Sequence, residues 1–282
     1  MNRLIFTADD FGMSLEVNEA VEQAHRDGVL TCASLVVAGA AAEDAIARAR
    51  RLPTLGVGLH LALFGAPAAH LAASSVAPDG ANLGESPVAT GIAVMLTPGG
   101  RAAARREIAA QFDAWRKSGL PLGHLDGHWH CHQHPAVLAM ALELGKPLGL
   151  KAVRIPYEPY RFSRAVAGRG MAARLMHAVT HWPLAREMRR QVRKAGLAAN
   201  DRFFGKNDAG AMGEDLLVRL VEHLPNGVTE VGLHPSVRPW SGPHAPPADW
   251  QPTGELAALT SPHLRAAIAA RGIELCRWSD LA

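Results

Sequence analysis

The sequence predicts a single α/β domain built as a closed or nearly closed (β/α) barrel. Three observations carry this reading. Strand-like and helix-like patterns alternate about eight times, as parallel α/β folds require. No stretch between them has the composition of a linker. The polar residues that are costly to bury fall at the carboxyl ends of predicted strands, where such folds form their sites. A doubly wound open sheet is the alternative, although the first strand–helix turn carries no GxGxxG.

Taken in order, Leu4–Ala8 is an apolar strand running into Asp9-Asp10. Glu16–Arg26 has helical spacing in Val17, Ala20, Val21 and Ala24, and Gly28 stops it. Thr31–Val37 is a second strand, and an Ala-rich helix follows at Ala41–Arg51. Leu55–Leu63 is a third strand. Residues 65–100, rich in Ala, Gly, Pro and Ser, read as a long loop bordering the site. Arg101–Ser118 is helical, Leu122–His128 a fourth strand, and Pro135–Gly145 a helix with proline in its first turn. Leu150–Ile155 is a fifth strand. A long helical region covers residues 165–195, with Pro183 as its candidate break. Arg202–Phe204 is a short sixth strand, Glu214–His223 a helix and Val228–His234 a seventh strand. Proline-rich Pro235–Pro252 reads as a second loop wall, followed by a helix over Thr253–Arg271 and a last strand at Ile273–Trp278. Residues 1–282 thus form one domain.

Composition excludes several classes. A net charge of +3 and the lack of aromatic residues interleaved with basic ones argue against nucleic acid. The three cysteines, Cys32, Cys131 and Cys276, form no CxxC pair, so a reducing cytoplasm is expected rather than a disulfide framework. The N-terminal apolar run is too short for a signal peptide, and no apolar stretch is long enough to span a bilayer.

The 14 histidines cluster. His60 ends the third strand; His124, Asp126 and His128 share one face of the fourth; Glu230 and His234 share a face of the seventh. Imidazoles and carboxylates in a barrel mouth are costly unless bonded to each other or to a metal. An Asp-Asp pair after a strand is by itself usually a cap, and a lone histidine is usually a hydrogen-bonded core residue. Asp10, His60 and His128 together point to one divalent ion, with a neighbouring carboxylate as general base. His130, His132 and His134 are expected to be supporting residues. A metal-dependent phosphoesterase and a catalytically silent metal-binding protein remain open as rivals.

These motifs have a family likeness. Thr7-Ala8-Asp9-Asp10-Phe11-Gly12, Gly58-Leu59-His60 and His124-Leu125-Asp126-Gly127-His128-Trp129-His130 resemble the YdjC-like (ChbG/HpnK) carbohydrate deacetylases. The likeness continues through Asn18-Glu19-Ala20, Val153–Glu158 and Leu233-His234-Pro235, so it covers most of the chain. It implies a distorted TIM barrel, one divalent ion (Zn or Mg) and hydrolysis of an acetamido group on a sugar. It implies Asp10, His60 and His128 as ligands and Asp9 as base. His234 would be the general acid or an acetyl-positioning group, and Arg154 would orient Asp9 or bind substrate. Asp126, Glu158 and Glu230 are expected to bind substrate.

Two substrate classes compete: soluble chitooligosaccharides, and the N-acetylglucosaminyl group of a hopanoid lipid. Residues 17–30 and 195–205 resemble the hopanoid (HpnK) branch, whereas Asp126 resembles the soluble-sugar branch, since asparagine is common there in the other. Apolar Met171, Leu175, Met176, Val179 and Trp182 precede Arg186, Arg189, Arg190 and Arg193. Such a segment can dock on an acidic membrane, although core packing is the plainer reading. The expected partners are an N-acetylated glycan or glycolipid and a peripheral membrane contact, with a homodimer left open.

Overall fold

The computed structural model describes residues 2–281. Nine strands form one sheet: β1 (Asn2–Phe11), β2 (Cys32–Leu35), β3 (Gly56–Leu61), β4 (His124–Gly127), β5 (Ala152–Val153), β6 (Ala198–Ala199), β7 (Arg202–Phe204), β8 (Gly227–Leu233) and β9 (Glu274–Leu275). The order is β6-β5-β4-β3-β2-β1-β8-β7, with β9 beside β1, and every ladder is parallel. Apart from β9, the chain winds around the barrel in sequence order, so the predicted (β/α) barrel stands. It is a curled, incompletely closed one: no ladder joins β6 to β7 among the described residues. Asn200 fills that seam. Its side chain accepts from the Ile155 amide (2.7 Å) and donates to the carbonyls of Ile155 (3.1 Å) and Arg202 (2.9 Å). The Phe203 amide donates to the Tyr157 carbonyl across the same gap at 2.9 Å.

β1 is buried from Leu4 to Asp9, as expected for a parallel strand covered on both faces. Helix α1 (Leu15–Asp27) starts at Ser14, whose hydroxyl accepts from the Val17 amide at 3.3 Å, and buries Val17, Ala20, Val21 and Ala24. Gly28 follows it in an ordinary negative-φ conformation; a side chain there would strike the Leu259 carbonyl, so close approach and not a left-handed cap requires glycine. α2 (Ala42–Arg51) lies beside α1.

Several element boundaries differ from the sequence reading. Residues 65–100 are not all loop, because α3 (Pro87–Leu96) forms within them, capped by Ser86, and leads into α4 (Pro98–Ser118), capped by Thr97. After α5 (Pro135–Gly145), the helical region divides into α6 (Tyr160–Ala167) and α7 (Met171–Lys194). The break falls at Gly168 and Gly170, both with φ of 65°, and not at Pro183, which α7 carries on its exposed face. After α8 (Glu214–Glu222), residues 252–270 form two helices, α9 (Pro252–Leu259) and α10 (Pro262–Ala270). Ser261 separates them by accepting from the amides of His263 and Leu264. Among the described residues, no helix is long and apolar enough to cross a membrane.

Candidate active site

The carboxyl ends of β1, β3, β4 and β8 converge on a cavity of about 490 Å³. Asp9, Asp10, His128 and His234 line it. Adjacent residues of a strand normally face opposite ways. Asp10 escapes this with φ of 62°, where the β1–β2 register shifts, and so both aspartates reach the cavity. A left-handed non-glycine residue costs on the order of 1–3 kcal/mol, a strain typical of functional sites. Trp129 (φ 48°) and His130 (φ 58°) carry the same strain. They form a left-handed kink within the segment His128–Gln133, and β4 ends before it, one residue short of the predicted His128.

Asp10, His60 and His128 come together. His128 Nδ1 lies 2.9 Å and His60 Nε2 3.5 Å from Asp10 Oδ1. One donor atom from each residue falls within 4.8 Å of the others, a spacing that one ion can bridge. His60 Nδ1 pairs with Asp126 Oδ1 at 2.8 Å, leaving Nε2 for the cavity side, the carboxylate–histidine arrangement common behind metal ligands. Burial works against a charged His60, but Asp126, Asp9 and Asp10 outweigh it and raise its pKa to about 9. Burial likewise opposes charge on Asp10, yet His128, His234 and His60 hold its carboxyl well below the usual range.

Asp9 is gripped at both oxygens by Arg154, at 2.7 and 2.8 Å. The same guanidinium contacts Asp126 Oδ2 (2.8 Å) and Glu230 Oε1 (2.7 Å) and lies 5.0 Å from the Phe203 ring centre. His234 Nε2 stands 4.0 Å from Asp9 Oδ2. Its amide donates to Glu255 Oε2 at 2.6 Å, and its ring packs 4.6 Å from Trp250. Burial lowers the His234 pKa and raises that of Glu255 to about 7.

Three expected substrate contacts are corrected. Asp126 and Glu230 are fully buried behind the cavity floor. Asp126 is taken up by His60, Arg154 and Ser34, whose hydroxyl donates at 2.6 Å; Glu230 is taken up by Arg154 and the Thr7 hydroxyl at 2.8 Å. Glu158 is also buried, accepting from Ser163, from Arg174 (3.1 Å), from Asn207 Nδ2 (2.8 Å) and from the Lys206 amide (3.1 Å). It organises the loop after β7 and does not line the cavity. Of the remaining histidines, His130 lines the cavity, whereas His132 bonds the Arg154 carbonyl at 3.0 Å from behind. Cys131 is a buried small side chain, as expected, and burial raises its pKa to about 12.

Sequence reasoning missed Lys206, His177 and His181, which line the cavity, and also Trp250 and Glu255. Lys206 Nζ donates to Gln133 Oε1 at 3.1 Å, and burial lowers its pKa to about 8. Lys206 follows the short predicted strand Arg202–Phe204 by two residues, as Asp10 follows Leu4–Ala8, and was overlooked there; the others sit at no predicted strand end, so the signal that found the rest does not reach them.

A family model described as YdjC-like protein matches residues 3–270. A carbohydrate deacetylase of Mus musculus is 33% identical, with 99% of this chain and 94% of that protein aligned. The carbohydrate deacetylase of Geobacillus stearothermophilus is 31% identical over 98% of this chain and 96% of its own. A crystal structure from Enterococcus faecalis, of a protein assigned provisionally to cellobiose-phosphate cleavage, superposes with a TM-score of 0.72. It covers 100% of this chain and 99% of that one at 21% identity, a likeness of fold.

Proposed function

Because the chain belongs to the YdjC-like family, we propose that it is a carbohydrate deacetylase that hydrolyses the acetamido bond of an N-acetylated amino sugar and releases acetate. The observation that carries this is the Asp10–His60–His128 cluster set against an arginine-clamped Asp9 in one cavity. Two imidazoles and a carboxylate with open positions suit one divalent ion, Zn or Mg, and His60 has its second nitrogen fixed by Asp126 as such a ligand needs. An ion held there would polarise the acetyl carbonyl and acidify a neighbouring water.

The chain's own residues supply the proton traffic. Asp9 takes a proton from the attacking water, using lone pairs that Arg154 leaves free while fixing the carboxylate's orientation. The water oxygen bonds to the acetyl carbon, and the carbon–nitrogen bond then breaks. His234, whose pKa is lowered by burial and whose Nε2 stands 4.0 Å from Asp9, takes up the proton that Asp9 removed from the water and delivers it to the departing amine. Acetate and the free amino sugar result. A two-ion phosphoesterase is disfavoured, because the second donor group, Asp9, His60 and Asp126, shares His60 with the first and already faces the Arg154 cation.

The finer reading is an N-acetylglucosaminyl hopanoid lipid as substrate, with the enzyme in peripheral contact with a membrane. Its support is the resemblance at residues 17–30 and 195–205, the second of which builds the barrel seam and ends at Gly205 in the cavity wall. Chitooligosaccharide is the alternative, favoured by Asp126. Acetate release from N-acetylglucosaminyl bacteriohopanetetrol compared with diacetylchitobiose decides between them. Turnover of the lipid alone is expected; turnover of chitobiose alone would overturn the lipid reading and leave the chemistry intact.

A further inference from the structure

α3 spans ten residues without a charge, and it buries only Thr90 and Val94. Val88, Ile92, Met95 and Leu96, at i, i+4, i+7 and i+8, form one stripe that is 50–70% exposed. On α7, Leu175, Met176, Val179 and Trp182 are 46–64% exposed. Soluble surfaces rarely leave such rows uncovered without a partner. α3 and α7 both pack on α5, and both adjoin the cavity: Glu85 lines it just before α3, and His177 and His181 line it from α7.

Charge accompanies each row. No acidic residue occurs from Ser86 to Arg106, and α3 is followed by Arg101, Arg105 and Arg106. None occurs from Gly170 to Arg186, and the α7 row runs into Arg186, Arg189, Arg190 and Arg193, where Glu187 is the acidic neighbour. The Arg186 guanidinium lies 5.5 Å from the Trp182 ring centre, so an aromatic and a cation share one edge. Exposed apolar side chains flanked by arginines match a bilayer interface, with acyl chains met by the former and anionic headgroups by the latter.

We propose that the exposed faces of α3 and α7 form a docking surface for an anionic lipid membrane, beside the mouth of the active site. The inference deepens the glycolipid reading above, but its test is independent of turnover. The full-length chain is sedimented with phosphatidylcholine vesicles and with vesicles half composed of phosphatidylglycerol. The pair Ile92→Asp and Val179→Asp, and the pair Arg186→Glu and Arg193→Glu, are compared with wild type, and the thermal melt and far-UV circular dichroism of each report whether it is folded. Binding to the anionic vesicles alone is expected, weakened by high salt and at least about tenfold by either pair, with the melt and circular dichroism unchanged. Three results would overturn the proposal: no sedimentation with anionic vesicles, equal binding to both vesicle types, or a dimer in solution that the Ile92→Asp and Val179→Asp pair dissociates, which would make a second copy the cover. Absence of acetate release by wild type from the detergent-dispersed glycolipid and from diacetylchitobiose alike would count against the deacetylase reading and not against docking.

Discussion

In the proposed reaction Asp9 and Asp10 divide two tasks that neighbouring residues of a regular strand could not share. The left-handed backbone of Asp10 turns its carboxylate to the same cavity as Asp9, and Arg154 then distinguishes them by occupying Asp9 alone. Trp129 is strained in the same way yet leaves its indole largely exposed at the cavity, so burial does not hold it there. Trp129→Gly should therefore be more stable than Trp129→Ala by about 1 kcal/mol, because glycine tolerates positive φ, while both raise KM alike. Thermal melts and initial rates check this. His60 predicts a pH effect. Its pKa is raised to about 9 in the ion-free site, above the ordinary 6.5. Its contribution to folding is thus complete below pH 6.5 and lost as pH rises through about 9. Ion binding at pH 7.5 should expel about one proton, read by calorimetry in buffers of different ionisation heat. The cluster of Asp10, His60 and His128 was legible in the sequence because each lies at or next to a strand end. The supporting roles of Asp126, Glu230 and Glu158 were not, since a period of two gives the face of a strand and not the depth at which a side chain stops.

Strands β3 and β8 repeat one device, a glycine two residues before the functional histidine on the same strand face. At Gly58 an added methyl group would strike the His124 ring; at Gly232 it would meet Phe203 at 2.7 Å. Phe203 packs on Arg154, so Gly232→Ala should disturb the Asp9 clamp and lower kcat by on the order of tenfold, with KM nearly unchanged. Asn200→Ala removes the bonds that bridge the seam and should cost about 1–3 kcal/mol in denaturant unfolding. The strand–helix alternation made both strands legible. The seam was not, because a side chain stands in for a ladder there, and α3 was hidden by the composition of a loop.

Across the molecule, the ordering of charge couples the site to stability. His124 and His132 are buried beneath the site, and burial lowers both pKa values to about 4 from 6.5. A depressed pKa stabilises the fold above pH 6.5 and withdraws that support as pH falls towards 4, by up to about 1.4 kcal/mol per pH unit per group. Melting temperature should fall over that window, and a flat profile would contradict it. The barrel itself was legible from its alternating pattern and its polar strand ends. The apolar row of α7 was legible as a segment beside arginines, but the incomplete closure and the exposed face of α3 arise from long-range packing, which no local pattern carries.

In the proposed reaction Asp9 activates water beside an ion held by its neighbours. This role is tested most directly by acetate release from ion-loaded Asp9→Asn protein whose bound ion has been quantified. One ion per chain is expected, as in wild type, with release reduced by about 10²–10⁴-fold. Release at the wild-type rate, or loss of the ion together with activity, would contradict it.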